Sequence, residues 1–272
     1  MQLAGRLFAP GERLKAAEGA GESLYRSPIR RAVELRPSCC TLPSMEMEIT
    51  LPDEIAVMTL PNVTFFPQAL LPLHIFEPRY RQMLKMALSS HRLFAVAGMK
   101  GPEGGDKQLT SEPPYRVATV GIVRACQKND DGTSNLLLQG LARVEMTETV
   151  REHPYRLVRI RALSSEAGAP PEENARLRKR LGKLIVTKQR LGGEVPREFA
   201  QFLKTIDDPE TFVDLAAFSL CEDSRFKQKL LETLDVHRRL KLFTAQLQNE
   251  IDQMKLRRRL QGRLGDDQIS HN

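Results

Sequence analysis

"LPLHIFEPRYRQML", residues 71–84, gathers His74, Glu77, Arg79, Tyr80 and Arg81 within a single short run. Two periodicities meet in it. Up to Phe76 the pattern alternates: Leu71, Leu73 and Ile75 share one side, and Pro72, His74 and Phe76 share the other. That is strand spacing, with Pro72 at a position that cannot donate to a ladder. After Glu77 the apolar residues are Tyr80, Met83, Leu84, Ala87 and Leu88, one face of a helix. Pro78 suits the first helical position, which makes Glu77 the N-cap or its neighbour. There Glu77 gains from the helix dipole and is within reach of Arg81. The stretch therefore predicts a strand, a capped turn and an amphipathic helix. Capping and core packing leave His74, Phe76 and Arg79 unexplained.

Strand signals continue on both sides. "EIAVMTL" (54–60) and "RLFAVAGM" (92–99) are short apolar runs rich in β-formers. "YRVATVGIVRACQ" (115–127) alternates, meets a turn at Asp131-Gly132 and re-emerges as "NLLLQGLARVEMTE", a hairpin by its spacing. Gly140 interrupts the second strand, as a bulge or a close backbone approach would require. "YRLVRIRAL" (155–163) reads as a half-exposed strand. About six strands with one interposed helix predict a small closed or semi-closed β-barrel over residues 48–165, which also removes exposed edges.

"SSEAGAPPEEN" (164–174) breaks the pattern, and residues 166–174 read as a linker. A helical bundle is expected over 175–262. Its first helix is Ala175 to Lys188, and "REFAQFLKTI" (197–206) is the next. "PETFVDLAAFSL" (209–220) has Asp208 as N-cap and Pro209 at N1, and "SRFKQKLLETL" follows. The last and longest helix starts after Asp235. Val236, Leu240, Phe243, Leu247, Ile251 and Met254 draw one apolar stripe along it, suited to a bundle core or to a coiled-coil arm. Residues 1–47 read as a disordered tail, or as sequence upstream of a true start at Met45 or Met47. Residues 263–272 read as a second tail. The overall expectation is an α+β chain of barrel followed by bundle.

Composition narrows the function. Of the formal net charge of +7, residues 45–171 contribute nothing, with fourteen basic and fourteen acidic side chains. The excess lies in the first 44 residues and in the helices. A neutral barrel argues against nucleic acid, since phosphate binding needs concentrated Lys and Arg. Arg257-Arg258-Arg259 sits near a helix end, where cations complement the dipole. Cys39 and Cys40 are adjacent, Cys126 and Cys221 stand apart, and no Cys-x-x-Cys occurs. That leaves neither a zinc ribbon nor a redox pair. No apolar run is long enough to cross a membrane, and a cytoplasmic protein is the default expectation.

Tests for catalysis find nothing. The sequence contains no Walker phosphate loop and no G-x-S-x-G elbow. "GPEGGD" (101–106) reads as a flexible loop, leading into no helix. The five His lack metal-pair spacing, and Asp130-Asp131-Gly132 lacks the later ligands of a calcium loop. No catalytic residue, metal or cofactor is expected.

"LPNVTFFPQALLPLHIFEPRYRQML" resembles the opening of the N-terminal substrate-binding domain of Lon-type ATP-dependent proteases. "VATVGIVRACQKNDDGTSNLLLQGLARVE" is similar to that domain's hairpin and glycine-interrupted strand. "DPETFVDLAAFSL" and "KQKLLETLDVHRRLKLFTAQLQNEI" resemble the helical region that follows it. The resemblance covers residues 52–256. It implies a PUA-like β-barrel followed by a helical bundle, and recognition of unfolded or tagged polypeptide without Lon's ATPase or peptidase chemistry. Phe65, Phe66, His74, Phe76, Arg79, Tyr80 and Arg81 are the candidate polypeptide-binding residues, with the aromatics as anchors and the arginines steering acidic segments. Phe65, Phe66 and Tyr80 have core packing as the alternative. The competing reading is a regulatory protein whose long helix forms a homodimer or associates with Lon. RNA binding by the PUA-like barrel ranks below both.

Overall fold

The computed structural model describes residues 50–100 and 113–261. The two expected tails, "GPEGGD", Cys39, Cys40 and the alternative starts lie outside these residues. Six strands come first: β1 (Glu54–Leu60), β2 (Leu70–Ile75), β3 (Leu93–Gly98), β4 (Val117–Lys128), β5 (Ser134–Arg151) and β6 (Arg156–Leu163), with α1 (Pro78–Leu88) between β2 and β3. Then follow α2 (Pro171–Arg190), α3 (Arg197–Lys204), α4 (Pro209–Leu220), α5 (Ser224–Glu232) and α6 (Val236–Gln261).

The strand order is β2-β5-β4-β3-β1-β6, and β6 also pairs with β5. That last pairing closes β5, β4, β3, β1 and β6 into a ring, with β2 attached outside it. Among the described strands only β1 and β3 run parallel; the other strand pairs are antiparallel. β5 makes this possible by changing partner along its length. Its first half, Ser134–Gln139, pairs with β2, and its second, Arg143–Arg151, with β6. Gly140 lies at the changeover. Its N–H donates to Ala69 and its C=O accepts from Gln68. A Cβ there would lie 2.1 Å from the Phe66 carbonyl oxygen, so only glycine fits this close approach.

The barrel is buried on two faces, which explains why β1 and β3 are continuously apolar rather than alternating. Ile55, Val57, Leu93, Ala95, Val120 and Val144 fill one core. Ala56, Met58, Phe94 and Val96 point the other way and join α1 and the helices in a second, larger core. In α6, Val236, Leu240, Phe243, Leu247 and Ile251 are all buried, so the apolar stripe is the core of the bundle rather than a free arm. From Asp252 to Leu260 the helix is mostly exposed.

Local signals place the helix starts. Pro78, Pro171 and Pro209 each open a helix. The Asp208 carboxylate accepts from the Thr211 N–H, and Asp223 caps α5 in the same way. One local expectation shifts. α2 begins at Pro171 rather than Ala175, inside the stretch read as linker: Pro171 presets the first helical φ, and Glu172 and Glu173 complement the dipole. Asn174, polar in sequence, is buried there and bonds the Ala167 carbonyl and His237.

Barrel and bundle are joined by a buried ionic cluster. Arg143 of β5 reaches Asp214 of α4 at 2.7 Å, and Arg239 of α6 reaches the same oxygen at 2.8 Å. Glu210 also accepts from both arginines. Arg143 further donates to the Leu231 carbonyl, and Arg239 to the Thr233 carbonyl and to Ser165, where the chain leaves the barrel. Burial pushes the Arg239 pKa down and Asp214 opposes that shift, the arrangement expected of a desolvated but compensated charge.

Candidate functional site

The corner between β2 and α1 is where the sequence concentrated its reactive-looking side chains. β2 lies at the end of the strand order and pairs with β5 alone. Leu71 and Leu73 are half-buried and Ile75 is buried, while Leu70, Pro72 and His74 face solvent, followed by Phe76. Leu70 is 51% and Phe76 61% exposed, unusual values for large apolar side chains. The His74 ring stacks on Phe76 with centroids 6.1 Å apart, and its Nδ1 is 2.7 Å from the Asn135 amide oxygen. The pair therefore forms one preorganised flat surface beside β5.

Glu77 is the N-cap residue of α1, with extended backbone, but its side chain makes no capping bond. Its carboxylate accepts instead from Arg79 Nε at 2.8 Å, not from the expected Arg81. The Arg79 guanidinium also covers the Tyr80 ring at 4.6 Å. Arg81 lies against the β4–β5 turn, where a Cβ on Gly132 would come within 2.1 Å of its guanidinium nitrogen. In that turn, bonds from the Thr133 hydroxyl and N–H hold the Asp131 carboxyl below its usual range, and the charges of His74 and Arg81 add to the effect.

The seven candidate residues thus divide. His74, Phe76, Arg79 and Arg81 come together at the surface. Phe65, Phe66 and Tyr80 are buried, the core-packing alternative that the sequence left open for them. Phe65 packs edge-on against Phe218 of α4 at 6.4 Å, and Phe66 closes on Gly140. The Tyr80 hydroxyl accepts from the Thr59 N–H and donates to the Thr59 carbonyl, fastening α1 to β1. Leu70 was missed, although it continues the exposed alternation by one step. A cleft that includes Thr59, Arg79, Tyr80, Glu152, Tyr155 and Arg156 was missed as well. Its members come from three parts of the sequence, so no local pattern signals it. Among the described residues no group of His, Cys, Asp or Glu is placed to hold a metal, and no helix is long and apolar enough to cross a membrane.

The fold and corner define a class: a closed β-barrel with an outlying aromatic-bearing strand, welded to a helical bundle. The family model for the substrate-binding domain of ATP-dependent protease La (Lon) matches residues 54–249, and the chain belongs to that family. Lon protease of Desulfosudis oleivorans is 26% identical over 219 residues, which is 80% of this chain and 26% of that protein. Lon protease of Syntrophus aciditrophicus is 27% identical over 80% of this chain and 28% of its own length. The chain therefore spans about a quarter of the length of these relatives. Among solved structures, the N-terminal domain of Lon protease from the Mycobacterium avium complex superposes with a TM-score of 0.57 at 17% identity. That match covers 72% of this chain and 98% of the other. A Lon N-terminal domain protein from Xanthomonas campestris gives 0.51 at 19% identity, over 71% and 97%. These structures share the fold, the α+β arrangement of sheet and helices expected from sequence.

Proposed function

We propose that this chain is a non-catalytic recognition module that binds unfolded or tagged polypeptide at the β2–α1 corner. The exposed row of Leu70, Pro72, His74 and Phe76, flanked by Arg79 and Arg81, carries this reading. An aromatic anchor with nearby arginines is the composition that supplies most binding energy at protein interfaces. Family membership supports it, because the matched quarter of a Lon protease is the part described as substrate-binding. The proposal carries recognition from that family and not hydrolysis. Charge pairing on the barrel favours polypeptide over RNA: Arg116 and Arg161 pair with Glu145, and Arg159 with Glu54 and Glu148.

The test is fluorescence anisotropy of a labelled, reduced and alkylated, permanently unfolded protein against the full chain. Binding should weaken at least tenfold in Phe76→Ala combined with Arg79→Ala, the scale of a lost aromatic anchor. Unchanged binding in that variant would refute the site assignment.

A second reading rests on the end of α6, where Leu256 and Leu260 are each 57% exposed. In this reading the projecting turns form a homodimer contact or a contact with a Lon protease. Light scattering on the full chain and on Leu256→Ser/Leu260→Ser decides it. A strict monomer that shows no association with Lon sinks this alternative.

A further inference from the structure

Closing the ring gives β1, β3 and β6 a neighbour on each side, whereas β2 lies outside the ring and pairs with β5 alone. The backbone directions along its outer edge follow from that one pairing. The Gly140 N–H donates to the Ala69 carbonyl, and the register sets Leu71 opposite Leu138 and Leu73 opposite Leu136. In an antiparallel ladder alternate residues turn their polar backbone groups to the neighbour. Ala69, Leu71, Leu73 and Ile75 therefore bond β5, and Leu70, Pro72 and His74 turn their groups away from it. Two observations agree. Pro72 has no N–H and stands where β5 requires none. His74 and Asn135 are directly opposite, and their side chains meet at 2.7 Å, as the closer approach of a non-hydrogen-bonded pair favours.

The outer edge of β2 thus presents N–H groups at Leu70 and His74, and carbonyls at Leu70, Pro72 and His74. Among the described residues no backbone bond to them crosses that edge. The leucines beside the row are incompletely covered. Leu71 and Leu73, on the inward face, are only half-buried, and Leu70 on the other face is 51% exposed. What complements such a row is another extended backbone.

We propose that an extended segment of bound polypeptide adds to the outer edge of β2 as a further strand. Main-chain bonds supply the grip, and alternate apolar side chains of the segment cover Leu71 and Leu73. Every chain carries the same backbone, so this mode suits unfolded polypeptide of varied sequence. Phe76 follows directly on the strand, so one anchor side chain and the backbone row act on the same segment. The inference rests on the polypeptide reading and deepens it. Pro72 favours such a segment over a second copy of this chain. Two copies paired about a two-fold axis at mid-strand would set Pro72 against Pro72 and leave both carbonyls without a donor. A segment free of proline there brings its own N–H to the Pro72 carbonyl.

The experiment measures anisotropy of a short fluorescein-labelled peptide, alternating Val and Thr between terminal lysines, against the full chain. Two further forms are N-methylated, one at the Val residues and one at the Thr residues. An added strand turns only every second N–H towards β2. Methylation in one phase should therefore weaken binding about tenfold or more, and in the other phase by less than about twofold. On the protein, His74→Pro should bind the unmethylated peptide about fivefold more weakly than His74→Ala, which lacks the same ring but keeps the N–H. Circular dichroism checks that His74→Pro is folded; the two methylated forms on wild type decide the matter without it. Equal effects of the two phases, or binding of the unfolded protein without the peptide, overturn strand addition and leave the polypeptide reading standing. A dimer dispersed by His74→Pro, with no peptide bound, assigns the edge to a second copy and overturns strand addition by a client. Failure of every peptide and of the unfolded protein to bind overturns both.

Discussion

Asp214→Ala removes the carboxylate on which Arg143 and Arg239 converge. Those arginine side chains are 2% and 0% exposed, and Asp214 is 1% exposed. Glu210 stays behind, but its side chain is 37% exposed and at 3.2 and 3.4 Å from the two guanidiniums it is the more distant partner. The variant therefore leaves two buried cations sharing one partly hydrated anion. Breaking a buried pair in this way costs about 3–5 kcal/mol, a large part of the ~5–15 kcal/mol that holds a domain folded. With a urea m-value of about 2 kcal/mol/M, the midpoint should fall by about 1.5–2.5 M. Equilibrium unfolding followed by far-UV circular dichroism measures this directly. Removing all the charges together should behave differently. Arg143→Met/Asp214→Leu/Arg239→Met leaves no buried ion unpaired, and its stability should return to within about 1 kcal/mol of wild type. A midpoint shift under about 0.5 M for Asp214→Ala would refute the reasoning, showing that Glu210 and the carbonyl acceptors suffice.

Phe66 and Phe76 share a chemistry but not an environment, being 0% and 61% exposed. Phe66→Ala should cost about 3–5 kcal/mol in thermal or urea unfolding, whereas Phe76→Ala should stay within about 0.5 kcal/mol and act on polypeptide binding instead. Gly140→Ala should destabilise strongly and shift the β5 amide resonances, because its new methyl meets the Phe66 carbonyl oxygen, part of the backbone rather than a flexible side chain. Burial pushes the Cys221 thiol up to about 11 from 9.0, so at pH 8 only about one molecule in a thousand carries a thiolate there. Mass spectrometry after brief iodoacetamide treatment should find Cys221 unmodified in native protein and alkylated in denaturant. The thiol is the favoured form in the fold, so its contribution to stability is complete below pH 9 and is lost as the pH rises towards 11.

Sequence periodicity was enough for most individual elements. Tyr80, Met83, Leu84 and Ala87 lie on the buried face of α1 because helix spacing alone brings them together. Asp208 and Pro209 open α4, since capping involves only neighbours in the chain. The β4–β5 hairpin forms about Asp131-Gly132 for the same reason. Gly140 stood out in the sequence as an interruption, though what fills the space beside it did not.

Whatever depended on partners distant in the chain was decided by the tertiary structure. Strand pattern does not tell which edge β2 or β6 will choose, so barrel closure through β5 was open until the pairings were known. Phe65, Phe66 and Phe76 are equally apolar in sequence, and only packing buries the first two and exposes the third. Arg143 and Arg239 carry no local signal of burial, since charged residues are rarely buried without a partner and their partner Asp214 lies 71 and 25 residues away. The cleft joining Arg79, Glu152 and Arg156 has the same origin. Backbone periodicity is a local property that the sequence states directly. Burial and charge compensation are properties of pairs, and those pairs exist only after the chain has folded.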